Sequence, residues 1–179
     1  MAKTTENSEK HIIAVLVDNE FGVLARVVGL FSGRGYNIES LTVAEVDKEE
    51  NLSRITIVTS GSKKIIDQIK TLLDRLIPVH EVIDITEQGR HVERELCLIK
   101  VLSAGEKRIE ALRMADIFRA RVVDATSKSF VFEITGTPDK INSFIDLMRP
   151  LGLSEICRTG VTAIMRGSKS ISDLQKEKD

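Results

Sequence analysis

The chain has no tryptophan, one tyrosine and six phenylalanines, so only 4% of its 179 residues are aromatic. A surface that stacks nucleobases needs more rings than this. Neither sign of charge dominates: 26 Lys and Arg stand against 27 Asp and Glu, a formal net charge of -1. Proteins that grip nucleic-acid backbones carry a basic excess, and the patch Arg113, Arg119 and Arg121 is interspersed with acids. Cysteine is scarce. Cys97 and Cys157 stand alone in apolar, strand-like runs and read as buried, reduced thiols, which fits a cytoplasmic compartment. No apolar run approaches the length of a membrane span, and the first ten residues are polar and mixed in charge, unlike a secretory signal. His11, His80 and His91 are far apart and lack metal-ligand spacing, and His11 reads as a structural residue. No nucleophile sits beside a base, and no neighbour of Cys97 in the sequence lowers its pKa. The chain on its own does not read as an enzyme.

What is present is a 42% hydrophobic composition, patterned twice in the same order. Residues 1–10 read as a flexible leader. His11–Val17 is a buried strand, followed by a turn at Asp18–Phe21. Val23, Leu24, Val27, Val28, Leu30 and Phe31 recur at helical spacing until Gly33 and Gly35 stop the helix. Strands follow at Asn37–Val46 and Leu52–Thr59. A helix starts after Ser62 and buries Ile65, Ile66, Ile69, Leu72, Leu73 and Leu76. Pro78 ends it, and Val79–Ile85 is a fourth strand. The second half repeats the order. Leu96–Leu102 is a strand and Glu106–Phe118 a helix. Strands at Ala120–Thr126 and Phe130–Gly136 precede a helix that opens on Pro138 and closes near Met148. Leu153–Arg158 and Val161–Met165 then read as one strand broken by Gly160. The fold class is α+β, two tandem ferredoxin-like βαββαβ units spanning 11–86 and 87–167, with a polar tail at 168–179.

The strand 12–17 is apolar at nearly every position, which implies burial on both faces. One helix layer covers one face only, so a second copy of the chain is the expected cover and a dimer the expected state. The broadly apolar helix 23–31 is placed in that contact. Glu93-Arg94-Glu95 joins the two units and reads as a contact or hinge rather than a catalytic cluster.

The stretch 18–43 carries the functional signal. Gly22 opens a helix whose first N–H groups and positive dipole end suit a carboxylate. Asn37 can accept from an ammonium or donate to a carboxylate. Taken singly, Gly22 serves any tight turn and Asn37 any turn cap, and Asp18 and Asn19 are ordinary helix-capping types. The joint pattern points to a zwitterion, on the expectation that the two glycine turns adjoin at one end of the unit. Leu24 and Ile38 are expected to wall a branched side chain, and burying one or two methyls is worth about 1–2 kcal/mol.

Gly22-Val23-Leu24-Ala25-Arg26-Val27 followed by Gly35-Tyr36-Asn37-Ile38-Glu39-Ser40-Leu41 resembles an ACT domain, a ferredoxin-like module that often binds amino acids between copies. The longer string LFSGRGYNIESLTV, with His91-Val92-Glu93-Arg94-Glu95-Leu96, resembles the small regulatory subunits of acetohydroxyacid (acetolactate) synthase, and the likeness runs from residue 11 to about 167. That resemblance implies a chain with no catalytic site, no metal and no cofactor of its own. It implies a large catalytic subunit as partner, which carries thiamine diphosphate, Mg and FAD. The small subunit activates that partner and confers feedback inhibition by valine in branched-chain amino-acid biosynthesis. The first unit is then the ACT sensing domain and the second engages the large subunit. The effector-binding positions carried over are Asn19, Gly22, Val23, Leu24, Asn37 and Ile38; Phe21 stands where small or polar residues are also familiar, and is expected to narrow or reshape the mouth and so bear on which effector is preferred. The alternative is a stand-alone ACT-type amino-acid sensor that regulates another protein.

Overall fold

A computed structural model of the chain describes residues 9–168, 170 and 171. Most of the expected leader and tail, residues 1–8, 169 and 172–179, lies outside the described residues. Glu9 and Lys10, expected in the leader, already belong to the first strand. The first unit contains β1 (Glu9–Asp18), α1 (Val23–Arg34), β2 (Ser40–Asp47), β3 (Leu52–Gly61), α2 (Lys63–Asp74) and β4 (Val79–Asp84). Its sheet has the order β2-β3-β1-β4, with every neighbouring pair antiparallel. The second contains β5 (His91–Leu102), α3 (Gly105–Phe118), β6 (Arg121–Ala125), β7 (Ser129–Gly136), α4 (Pro138–Met148) and β8 (Leu153–Arg158), ordered β6-β7-β5-β8. Both are the expected βαββαβ arrangement. Among the described residues no helix is long and apolar enough to cross a membrane.

Period-two alternation sends Ile13, Val15 and Val17 of β1 to one face of the first sheet. There they pack with Ile55 and Ile57 of β3, Val23, Val27 and Phe31 of α1, and Ile66, Ile69 and Leu73 of α2. Ile12 and Ala14 point to the other face, as the double-sided burial of β1 requires. Their cover is not a second copy. It is the chain's own β9 (Thr162–Met165), the last strand among the described residues, whose neighbourhood places Val161 and Ala163 against Ile12, Ala14, Val58, Ile83 and Ile85. Val161–Met165 was expected to continue β8. Instead, Gly160 turns at φ +86°, and from Val161 onward the chain groups with the first unit, leaving 93–160 as the compact second unit. Within the first unit the Arg166 N–H donates to the Arg90 carbonyl at 3.0 Å.

In the second unit Cys97, Ile99 and Val101 of β5 join Phe130, Phe132 and Ile134 of β7 under Ala111 and Ala115 of α3 and Ile141, Phe144, Ile145 and Met148 of α4. Pro138 takes the first turn of α4, where its missing N–H costs nothing, and Thr137 accepts from the Lys140 N–H at 3.4 Å. Glu95 lies just past the boundary between the units, which falls at Val92/Glu93. It is buried, and Arg158 grips it with Nε at 2.7 Å and Nη2 at 2.6 Å while donating to Asn142 at 2.9 Å, so β5 and β8 are fastened together. Gly152 enters β8 at φ +107°, and a Cβ there would stand 2.0 Å from the Leu102 carbonyl oxygen, so no other residue fits. Cys97 is fully buried, and desolvation pushes its thiol up to about 11 although Arg158 pulls the other way. Cys157 is exposed, against expectation: it stands opposite Leu98 of β5, which is exposed too, on the sheet face away from Cys97, Ile99 and Val101 and the helices that cover them.

Candidate functional site

The loop after β1 is tied down by main-chain and amide bonds. The Asn19 N–H donates to the Asn51 carbonyl at 2.7 Å, and the Asn51 side chain donates back to the Asn19 carbonyl at 3.3 Å. Asn51 holds a left-handed turn, φ +54°, which Asn tolerates better than most residues. The Asn19 side chain donates to Glu45 at 3.3 Å, and the Asp18 N–H donates to the Pro78 carbonyl at 2.9 Å. Gly22 is the N-cap of α1 at φ +85°, with no side-chain cap and no acid in the first turn. The first main-chain bond of the helix runs from the Arg26 N–H to the Gly22 carbonyl, so the N–H groups ahead of Arg26 are the open donors of the helix end. Apart from its chain neighbours, nothing lies within 4 Å of where a Gly22 Cβ would be, so the space beside the cap is open. Val23 is buried in the core and offers only its N–H, whereas the Leu24 side chain is exposed and Phe21 fully so.

Asn37 and Ile38 stand at the other turn, just ahead of β2. The Asn37 carbonyl accepts from the Thr59 hydroxyl at 2.7 Å and the Glu39 N–H donates to the Val58 carbonyl at 2.8 Å. These bonds bring the chain alongside β3, but the regular ladder begins only at Ser40, opposite Val58, which is why the strand starts later than expected. The Asn37 side chain is exposed, and Ile38 is half-buried against the core of the first unit.

The two turns do not adjoin. β1 ends at Asp18 beside Leu52, at the start of β3, whereas Asn37 lies beside Thr59, near its end. Leu52 to Thr59 spans about 23 Å of strand. The helix α1 carries the chain from one end of the sheet to the other, as any βαβ crossover must. Asn19, Gly22, Val23 and Leu24 therefore share one end of the unit, and Asn37 and Ile38 share the opposite end. One chain cannot close both groups around one amino acid. Sequence adjacency hid this separation, and it hid Asn51, Glu45 and Thr59, which position the two turns. The only sequence signal for Asn51 is an Asn closing the charged run Asp47–Glu50.

The histidines have structural partners. His11 Nδ1 lies 2.6 Å from buried Asp84, and His80 Nε2 lies 2.6 Å from Asp18. Among the described residues no group of three or more His, Cys, Asp or Glu could hold a metal ion. The basic cluster is partly neutralised: Arg113 pairs with Glu110 at 3.5 Å and Arg121 with Glu133.

Comparison with known proteins agrees with both halves. Residues 13–81 match the model "AHAS small subunit-like ACT domain", and residues 94–167 match "Small subunit of acetolactate synthase". A probable acetolactate synthase small subunit of Archaeoglobus fulgidus is 52% identical over 160 residues, covering 89% of this chain and 99% of the relative. The small subunit of acetolactate synthase isozyme 3 from Escherichia coli is 43% identical, covering 89% and 98%. The crystal structure of the acetolactate synthase small subunit from Thermotoga maritima superposes with a TM-score of 0.82 at 36% identity, covering 90% of this chain and 99% of that one. With both halves matched in order and near-complete coverage of its relatives, the chain belongs to the acetolactate synthase small-subunit family.

Proposed function

We propose that this chain is the regulatory, non-catalytic subunit of an acetolactate synthase, that it activates the large catalytic subunit, and that it confers feedback inhibition by valine in branched-chain amino-acid biosynthesis. Thiamine diphosphate, Mg and FAD belong to the large subunit in this reading, and the assembly works in the cytoplasm. The first unit, 11–86, is the sensor, and the second engages the large subunit. The observation that carries the reading is the open N-terminus of α1 at Gly22 within an ACT unit of this family. The helix end takes the effector carboxylate, Asn37 and loop carbonyls take the ammonium, and Leu24 and Ile38 line the side chain.

Because these groups lie at opposite ends of one unit, the effector site requires two copies. A two-fold axis that runs β2 antiparallel to the β2 of a second copy brings the Gly22 end of one to the Asn37 end of the other. β2 suits this role: it is an edge strand, exposed from Val43 onward, with Val43 and Val46 open to solvent. For the second unit, the exposed apolar residues Ile109, Leu112 and Ile117 of α3 support a docking role. Calorimetry of the folded chain tests the sensor: saturable binding at millimolar valine is expected, and its absence refutes the reading. Co-purification tests the partner: a thiamine-diphosphate enzyme is expected with this chain, and capture of an unrelated protein instead favours a stand-alone sensor.

A further inference from the structure

The strand that follows the second glycine turn is fastened to the far end of the chain. Ser40 and Thr42 of β2 are two residues apart, so their side chains leave the same face of the sheet. Both engage one residue. The Val161 N–H donates to Ser40 Oγ at 2.9 Å, and Thr42 Oγ1 donates to the Val161 carbonyl at 3.2 Å. Arg54, which pairs with Ala44 of β2 from the adjacent strand, donates through Nη2 to the Ala163 carbonyl at 2.6 Å. The Val161 and Ala163 side chains fill the apolar face left open by the helices. Side chains of β2 and β3 thus hold main-chain groups of Val161 and Ala163.

The position of this fastening gives it a consequence. Ser40 is three residues from Asn37 and two from Ile38, the proposed effector contacts. On one side that short segment is fixed by Thr59 and Val58 of β3, and on the other by Val161 through Ser40. We propose that Ser40 and Thr42 are positioning residues for the effector, and that valine binding and docking of residues 161–165 are thermodynamically linked. The inference rests on the sensing function proposed above. A ligand that fixes Asn37 and Ile38 fixes the start of β2, which holds both hydrogen-bonding groups of Val161. By linkage, a docked Val161 must then favour the ligand by the same factor. β9 follows β8 through Thr159–Val161, so the linkage has a covalent route out of the sensing unit.

Hydrogen exchange and calorimetry on the full-length chain test this. Saturating valine should slow amide exchange in 161–165, including the Val161 amide, by about fivefold or more, the lower end of common coupling factors. The double variant Ser40→Ala/Thr42→Val should bind valine about fivefold more weakly, while Thr42→Ser, which keeps the hydroxyl, should bind like the parent. Unchanged exchange at 161–165, or parental affinity in the double variant, overturns the inference. Should the double variant not fold, the exchange experiment on the parent chain decides alone. A parent chain that binds no valine overturns the sensor and the linkage together. A parent that binds valine without either effect overturns only the linkage.

Discussion

Replacing Gly22 by Asp places a carboxylate at the helix end that is proposed to take the effector carboxylate. Two effects follow, and the structure separates them. The backbone at Gly22 has φ +85°, a left-handed conformation that costs an L-residue about 1–2 kcal/mol. Nothing lies within 4 Å of the new Cβ, so steric collapse adds little and the variant should fold. The second effect is electrostatic. Two like charges about 5–6 Å apart at an effective dielectric of about 20–40 repel by roughly 1.5–3 kcal/mol, or some ten- to hundredfold in affinity. Gly22→Ala carries the same backbone strain without the charge. The assay is valine calorimetry on the two variants and the parent, with chemical denaturation in parallel. The Ala variant should lose about 1–2 kcal/mol of stability, and the Asp variant less, because its carboxylate sits at the positive end of the helix. Only the Asp variant should lose a further ten- to hundredfold in valine affinity. Equal affinities of the Ala and Asp variants would refute an effector carboxylate at this helix end.

Glu95→Gln removes the buried carboxylate that Arg158 grips from both Nε and Nη2, and should lower the unfolding free energy by about 1–3 kcal/mol in denaturant titration. Gly152→Ala drives a Cβ onto the Leu102 carbonyl at 2.0 Å and should cost far more than Gly22→Ala, seen as loss of the cooperative thermal transition of the second unit. A thiol reagent at pH 8 should label Cys157 in the native chain and leave Cys97 untouched, with labelling of Cys97 only on unfolding. Cys97 ionises near its ordinary 9.0 when unfolded and only near about 11 when folded, so its contribution to stability is complete below pH 9 and declines as pH rises towards 11. Comparison with Cys97→Ala in alkaline denaturation isolates that decline.

Most elements could be read from periodicity and punctuation. Pro138 opens α4 and Gly35 closes α1 because each residue's backbone restrictions act locally. The tandem βαββαβ order followed from the same local signals. What could not be read depends on contacts distant in sequence. Val161–Met165 has the composition of a strand, but nothing in that composition says that it returns to the first sheet and covers Ile12 and Ala14. The expected second copy was inferred from apolar β1 residues that the chain covers itself. Cys157 looked buried because its neighbours are apolar, yet the sheet face it shares with exposed Leu98 decides its exposure. The separation of the Gly22 and Asn37 turns was readable in principle, since a helix of twelve residues between two parallel strands carries the chain to the opposite end of the sheet. Sequence proximity was a poor guide there, and topology corrected it.

That separation makes the two-chain site the central claim, and mixed dimers test it. Chains carrying Gly22→Asp and chains carrying Asn37→Ala are each expected to bind valine about tenfold or more weakly alone. Combined in one dimer, they leave one site with an unaltered Gly22 from one chain and an unaltered Asn37 from the other. Calorimetry on purified mixed dimers should therefore find one valine site per dimer at near-parental affinity. A mixed dimer that binds no valine, while the parental dimer does, would place all the effector contacts within a single chain and contradict the account.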